Sequence, residues 1–209
     1  MRKIGIIGGI GAAAGARLFD MLIKECQKRG AKCDSDFPEV LLHSISALGT
    51  SERGVDDEDE ILGQLIESVV MLNTCGVDVI AIACNTVHLH IDTLREFSNA
   101  HILNMPKLAA CKAHGTLGVL CSRTSLRQGL YQTNIAPTEV QQDAIDAAIG
   151  RAISGHITEM DRLHITNIVS DFYKRGADDV ILGCTELPLV YRGGAVIDPY
   201  DAVIEELLK

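Results

Sequence analysis

Short, almost continuously apolar runs alternate along the chain with longer stretches in which apolar residues recur every three or four positions. The short runs RKIGIIG, EVLLHSI, DVIAIAC, HILNM, TLGVLCS and DDVILGC predict six β-strands. Runs without an alternating polar face belong to strands buried on both sides, so helices must cover both faces of a parallel sheet. The helical period is clearest from Ile61 to Cys75, where Ile61, Leu62, Leu65, Val69 and Leu72 share a face. It returns from Ile157 to Lys174 with Met160, Leu163, Ile168 and Phe172. The acidic run Asp56–Glu60 reads as the solvated start of the first of these helices, its carboxylates near the positive end of the dipole.

The pattern also repeats. GVDVIAIACNT at Gly76–Thr86 and GADDVILGCTE at Gly176–Glu186 match with an offset of 100 residues, and Gly, Asp and Cys coincide. Upstream, the strand Ile4–Gly9 pairs with Leu117–Ser122, each running into small or hydroxyl residues. We therefore expect two similar parallel-sheet α/β halves related by a pseudo-two-fold, 1–112 and 113–209, with the site in the cleft between them. The stretch Pro106–Gly115 is the expected boundary, and the C-terminal helix is free to pack back on the first half.

Composition narrows the chemistry. A chain of 209 residues with 47% hydrophobic residues can bury a sizeable core. No apolar stretch approaches the roughly 20 residues that span a bilayer. The basic start MRKIGIIGG meets glycines too soon to be a signal peptide, so a cytoplasmic protein is expected. A net charge of -9 without a basic patch excludes a nucleic-acid partner. Seven scattered cysteines with no CxxC pair fit reduced thiols better than disulfides or a zinc site.

In parallel α/β sheets the residue directly after a strand is displayed to the ligand cleft. Cys84 and Cys184 both hold that position, in equivalent places of the two half-repeats. Two such cysteines would face one another across a substrate, one on each side of its reacting carbon. Inverting a stereocentre needs that arrangement, because one proton leaves as another arrives from the opposite face. A thiol has accessible protonated and deprotonated forms. Helix N-termini beginning at Asn85-Thr86 and Thr185-Glu186 are expected to pull both thiols from about 8.5 towards neutrality. Cys26, Cys33, Cys75 and Cys111 are expected to be small buried hydrophobes.

With these residues in view, ACNTVH at Ala83–His88 and GCTELPLV at Gly183–Val190 resemble the two cysteine motifs of the aspartate/glutamate racemases, in the Asp/Glu/hydantoin racemase superfamily. IGIIGGIG, ILNMPKLAA and GVLCSRTSLRQGLYQ resemble further segments of that family, so nearly the whole chain is covered. GCTELPLV looks like the aspartate branch. The resemblance implies a homodimeric, pyridoxal-independent and metal-free enzyme that racemises aspartate or glutamate. It implies that Cys84 and Cys184 are the bases, and that Asn85, Thr86, Ser122 and Thr185 hold the substrate's carboxylate and amino group. Ser125 stands with Ser122 where the family has threonines, and His88, Glu186 and Asp198 match supporting positions. Backbone N–H groups around Gly9 and Gly11 are candidates to cradle a carboxylate. Arg53, and after it Lys174, are the candidate cations for a side-chain carboxylate.

The sequence departs from the family at Ile10 and Ala12 in the glycine loop, lacks the usual aspartate after LLHSI, and lacks the histidine of the C-terminal segment. Several rival readings fit parts of it. Gly9, Gly11 and Ala14 match a dinucleotide fingerprint, but no acid ends the second strand. His88 and His90 form an HxH without further ligands. A cysteine hydrolase using Cys84 and His88 would leave the duplication unexplained. A superfamily isomerase or decarboxylase of a small dicarboxylate, and a diverged binding protein, remain as alternatives.

Overall fold

The computed structural model describes residues 2–209. The first half runs β1 (Ile4–Gly8), α1 (Ala12–Lys28), β2 (Val40–Ser44), β3 (Thr50–Ser51), β4 (Gly54–Val55), α2 (Glu58–Thr74), β5 (Val79–Ile82), α3 (Ile91–Glu96), β6 (His101–Ile102) and α4 (Met105–Ala110). The second runs β7 (Leu117–Leu120), α5 (Arg123–Arg127), α6 (Glu139–Ile153), α7 (Glu159–Lys174), β8 (Asp179–Leu182), α8 (Leu187–Val190) and α9 (Pro199–Leu207). No helix among the described residues is long and apolar enough to cross a membrane.

The first sheet is parallel with strand order β2-β1-β5-β6. β7 and β8 pair in parallel in the second half. Single parallel bridges extend that pair on both sides, Gly118 with Ile135 and Ile181 with Ile197. Ile135 thus takes the place of β2, β7 of β1, β8 of β5 and Ile197 of β6, so the two halves share one parallel α/β topology.

The repeated Gly-x-Asp follows from this topology. Gly76 and Gly176 end α2 and α7 at φ +68° and +94°, the left-handed conformation in which only glycine is unstrained. Two residues later, Asp78 accepts from Lys3 N–H at 2.7 Å, tying the entry of β5 to the entry of β1. Asp178 accepts from Thr116 N–H at 2.7 Å and ties β8 to β7 in the same way. Each half also needs a glycine inside its first strand. A Cβ on Gly5 would stand 3.0 Å from Leu72, and one on Gly118 2.5 Å from Phe172, residues at equivalent places on α2 and α7. The glycine and aspartate of the repeat are therefore structural.

Successive strand residues feed opposite faces, as period 2 requires. Ile4, Ile6, Val79 and Ala81 pack on α1 and α9, while Ile7, Ile80 and Ile82 pack on α2 through Ile61, Leu65, Val69 and Leu72. Tyr200, Val203, Ile204 and Leu207 bring α9 into the core of the first half, against α1 and α4. Asp57 caps α2 by accepting from Glu60 N–H at 3.1 Å, and Glu58, Asp59 and Glu60 fill its first turn.

Two local expectations are corrected. The buried face of α7 is Asp161, Ile165, Ile168, Val169 and Phe172, whereas Met160 and Leu163 are 56% and 50% exposed. The inward position is taken by a carboxylate: Asp161 is 1% exposed and accepts two bonds from Arg151 Nε, at 2.9 and 2.8 Å. Of the four cysteines expected inside, Cys26 is buried and Cys75 half-buried, but Cys33 and Cys111 are exposed. Cys33 lies in the loop after α1 and Cys111 at the end of α4, where no second layer covers them.

Candidate active site

Ladder hydrogen bonds continue one residue past β5 and β8, from Ala83 N–H to Ile7 O (2.8 Å) and from Gly183 N–H to Leu120 O (2.7 Å). Cys84 and Cys184 are the next residues, where the chain leaves the sheet. A 3-10 turn, Thr86–His90, follows Cys84, and α8 follows Cys184. Both cysteines line one cavity of about 610 Å³ between the halves. Its walls are the Gly9–Ala12 loop, Ile45–Ala47, the β3–β4 hairpin, Thr86 and Val87, Ser122, Glu186, and one face of α6 at Ile149, Gly150 and Ile153. A larger groove of about 830 Å³, lined by Arg29, Asp36 and Leu208 among others, holds none of the expected site residues.

The thiols do not behave as expected. Burial pushes Cys84 up to about 12, and the nearby Glu186 carboxylate adds to the shift. The N–H groups of Thr86 and Val87 and the Thr86 hydroxyl oppose it without offsetting the loss of solvation. Cys184 is raised well above its ordinary range by burial and by Glu186, against one backbone N–H. The helix-terminal donors inferred from the sequence are present, but desolvation of the charged form outweighs them. Cys84 borders the cavity and is half-buried, yet the protein encloses it on the other sides.

Glu186 is 4% exposed, and burial raises its pKa. Its Oε2 accepts from Cys184 Sγ at 3.1 Å and from the Thr185 hydroxyl at 2.9 Å, while Oε1 is buried with no partner. That oxygen lies against Gly11: a Cβ there would stand 1.9 Å from it, and Gly11 has φ +48°. A Cβ on Gly9 would stand 1.9 Å from the Ile45 carbonyl oxygen. The carboxylate that the glycine loop admits is thus the protein's own, and the room a dinucleotide would need is taken.

Three hydroxyls close a ring across the halves. Thr86 and Ser122 are 3.0 Å apart, Ser122 donates to Ser125 at 3.0 Å, and Ser125 donates to Thr86 at 2.9 Å. The buried Tyr131 hydroxyl donates to Asn85 Oδ1, which leaves the Asn85 amide nitrogen buried and unpartnered. His88 is neutral, its pKa lowered to about 4 by burial. Its Nδ1–H donates to the Cys84 carbonyl at 2.8 Å, so it fixes the turn after Cys84 and does not activate the sulfur. Asp198 caps α9 by accepting from Tyr200 N–H at 3.1 Å and pairs with Arg17. Tyr200 donates to the carbonyls of Ala14 (3.1 Å) and Ala83 (3.3 Å), joining α1 to the strand end before Cys84.

Cys84, Cys184, Thr86, Ser122, Glu186, Gly9 and Gly11 therefore meet at the cavity, with Asn85, Thr185, Ser125 and His88 packed behind them. The two candidate cations are not brought there. The Arg53 side chain is 70% exposed and borders a neighbouring depression with Arg123 and Asp143, and Lys174 is exposed at the end of α7. Sequence reasoning missed Tyr131, Arg17 and Glu52. Tyr131 lies in the quoted GLYQ segment, but nothing local marks its bond to Asn85. Among the described residues no three His, Cys, Asp or Glu side chains are arranged to hold a metal ion.

The Asp/Glu/Hydantoin racemase family model matches residues 7–207. The chain is 26% identical over 201 residues to the broad specificity amino-acid racemase RacX of Bacillus subtilis (strain 168), covering 90% of this chain and 86% of that one. It is 25% identical over 167 residues to a glutamate racemase of Persephonella marina, covering 75% of this chain and 64% of that enzyme, less than two thirds of its length. Its fold matches that of Picrophilus torridus aspartate racemase with a TM-score of 0.80 at 23% identity, over 99% of this chain and 93% of the other.

Proposed function

Because the chain belongs to the Asp/Glu/Hydantoin racemase family and is thereby an isomerase of the amino-acid racemase kind, we propose that it racemises an α-amino acid without a cofactor, Cys84 and Cys184 working on opposite faces of the α-carbon. One observation carries the reading: the two cysteines end equivalent strands of the two halves and line the same cavity.

In the competent complex one cysteine is a thiolate and the other a thiol. The thiolate takes the α-proton, the Cα–H electron pair passes into the substrate carboxylate, and the thiol returns a proton to the other face. The cysteines have then exchanged protonation states, which suits the reverse direction. Thr86 and Ser122 are placed to hold the carboxylate, and the unpartnered Asn85 amide supplies a further donor. Glu186 suits two tasks: accepting the Cys184 proton and pairing with the substrate ammonium. A thiol held near 12 costs about 5 kcal/mol to ionise at pH 8. The incoming ammonium, desolvated beside the sulfurs, offsets that cost.

The family resemblance points to aspartate or glutamate as substrate, while the name of the Bacillus relative speaks of broad specificity. All seven cysteines are free, which fits a reducing cytoplasm. The test is chiral chromatography of protein dialysed against chelator, incubated with L- and D-forms of acidic, neutral and basic amino acids. Interconversion of at least one pair is expected. Interconversion of none, or activity lost to the chelator and restored by a metal, overturns the proposal.

A further inference from the structure

On the reading that Ser122 helps to hold the carboxylate of a racemised amino acid, we infer that Arg123 and Asp146 are positioning residues for that hydroxyl, acting from outside the cavity. Neither side chain belongs to the cavity lining. They pin the backbone on either side of Ser122 to one stretch of α6.

The chain leaves β7 at Cys121, and Ser122 caps the five-residue α5. Its Oγ accepts from Ser125 N–H at 3.4 Å and its carbonyl from Leu126 N–H at 3.0 Å. A helix this short has little stability of its own, so its orientation comes from what it packs on. Gln142 Nε2, from α6, donates to the Cys121 carbonyl at 3.0 Å and to Asp146 Oδ1 at 2.7 Å. Asp146 Oδ2 accepts from Arg123 Nε at 2.9 Å. Cys121 and Arg123, the two neighbours of Ser122, are thus tied to residues one turn apart on α6. Both atoms facing Gln142 are acceptors, so its amide nitrogen must point at them, and its oxygen is buried without a partner.

Arg123 also reaches Glu139 at 2.7 Å and Asp143 at 2.6 Å, so its three nitrogens meet three carboxylates along one face of α6. The Glu139 and Asp143 side chains are 86% and 76% exposed, and ion pairs in water contribute little. The side chains of Arg123 and Asp146 are only 14% and 7% exposed, so theirs is the contact that fixes geometry. Lysine would carry the same charge without the planar fork that holds several carboxylates at once. On the other side of the turn, Thr124 N–H donates to the Arg53 carbonyl at 2.9 Å, and a Cβ on Gly54 would lie 2.6 Å from Thr124. The turn is therefore held between α6 and the β3–β4 hairpin, which sets the Ser122 and Ser125 hydroxyls 3.0 and 2.9 Å from Thr86 in the other half. One turn beyond Asp146, Ile149 and Gly150 line the cavity, so the same anchor relates Ser122 to that wall.

Steady-state racemisation of the amino acid that wild type interconverts fastest is compared for Arg123→Lys, Asp146→Asn, Glu139→Gln and Asp143→Asn, each alone and combined with Ser122→Ala. A displaced Ser122 weakens the grip on a carboxylate present in ground and transition states alike. Arg123→Lys and Asp146→Asn should therefore each raise KM about tenfold and lower kcat less than about threefold. Where Ser122→Ala already leaves only Thr86 and Asn85 to hold the carboxylate, the same substitutions should cost less than about twofold more in kcat/KM. Glu139→Gln and Asp143→Asn should change KM less than about twofold. Amide exchange followed by NMR should quicken about tenfold or more at Ser125 and Leu126 in Arg123→Lys, while the β1 amides keep their wild-type rates. Equal losses with and without Ser122, or a fall in kcat at unchanged KM, overturn the inference, and so does wild-type exchange at Ser125 and Leu126. If Arg123→Lys fails to fold, Asp146→Asn carries the same comparisons. Faster exchange at those two amides, in a protein whose wild type racemises nothing, would leave the positioning role standing and refute the racemase reading.

Discussion

Raising the pH should reveal Cys84 long after an ordinary thiol has finished ionising. A free cysteine titrates near about 8.5, whereas burial and the Glu186 carboxylate hold Cys84 at about 12. At pH 8.5 an ordinary thiol is half thiolate, while a group at 12 is ionised in roughly one molecule in 3,000. The thiolate is the species that attacks iodoacetamide, so the alkylation rate of Cys84 should climb about tenfold per unit from pH 7 to pH 11. Quenched time points at each pH, digested and quantified by peptide mass spectrometry, give that rate for Cys84 separately from the exposed Cys33 and Cys111. The slope, not the absolute rate, carries the test, so a partly closed cavity does not confuse it. Stability must follow. Below pH 8.5 folded and unfolded chains both carry the neutral thiol, and nothing changes. Between 8.5 and 12 only the unfolded chain ionises, at about 1.4 kcal/mol per unit, so the fold should lose about 2 kcal/mol through Cys84 by pH 10. Cys84→Ser should remove that part of the alkaline loss. An alkylation plateau between pH 7 and pH 9 would refute the burial argument and mean that the Thr86 and Val87 N–H groups prevail.

Other expectations follow from the same geometry. Gly11→Ala places a methyl group where Glu186 Oε1 now lies, so the carboxylate must leave Cys184; activity should fall at least tenfold, and activity equal to wild type would show that Glu186 is dispensable. Tyr131→Phe strips Asn85 of its one side-chain partner and should cost about 1–3 kcal/mol in urea denaturation, with KM rising more than kcat falls; unchanged values of both would deny the Asn85 assignment. Asp78→Ala and Asp178→Ala should each cost about 1 kcal/mol and speed amide exchange at Lys3 and Thr116 respectively; a large loss in one half alone would contradict their structural equivalence.

What the sequence made legible and what it hid have physical reasons. The core strands are apolar on both faces, so β1, β5, β7 and β8 stand out as unbroken runs, and the cysteines are conspicuous because each ends one of them. β2 was legible as the run EVLLHSI although it is an edge strand, but the β3–β4 hairpin has two residues per strand, too few for any period to register. The hairpin carries Glu52, so this cavity-lining residue lay in a segment with no pattern. Face assignment on α7 went astray because Asp161 occupies an inward position that an apolar count gives to Met160 or Leu163. The donors around each thiol follow from its place after a strand, but burial depends on the packing of both halves, and only the structure shows that it dominates. Likewise, Gly11 and Glu186 lie at opposite ends of the chain, and nothing local announces that one makes room for the other.

The central claim is that Cys84 and Cys184 serve opposite faces of one carbon, and α-deuteration in D2O tests it most directly. Cys84→Ser and Cys184→Ser each leave one thiol, which can still remove and return a proton on its own side. NMR of separate L- and D-samples of the substrate should show each single variant labelling one enantiomer without racemising it, the two variants choosing opposite enantiomers. The double variant should label neither. Racemisation at the wild-type rate by either single variant, or the same enantiomer labelled by both, would contradict the opposed-cysteine mechanism.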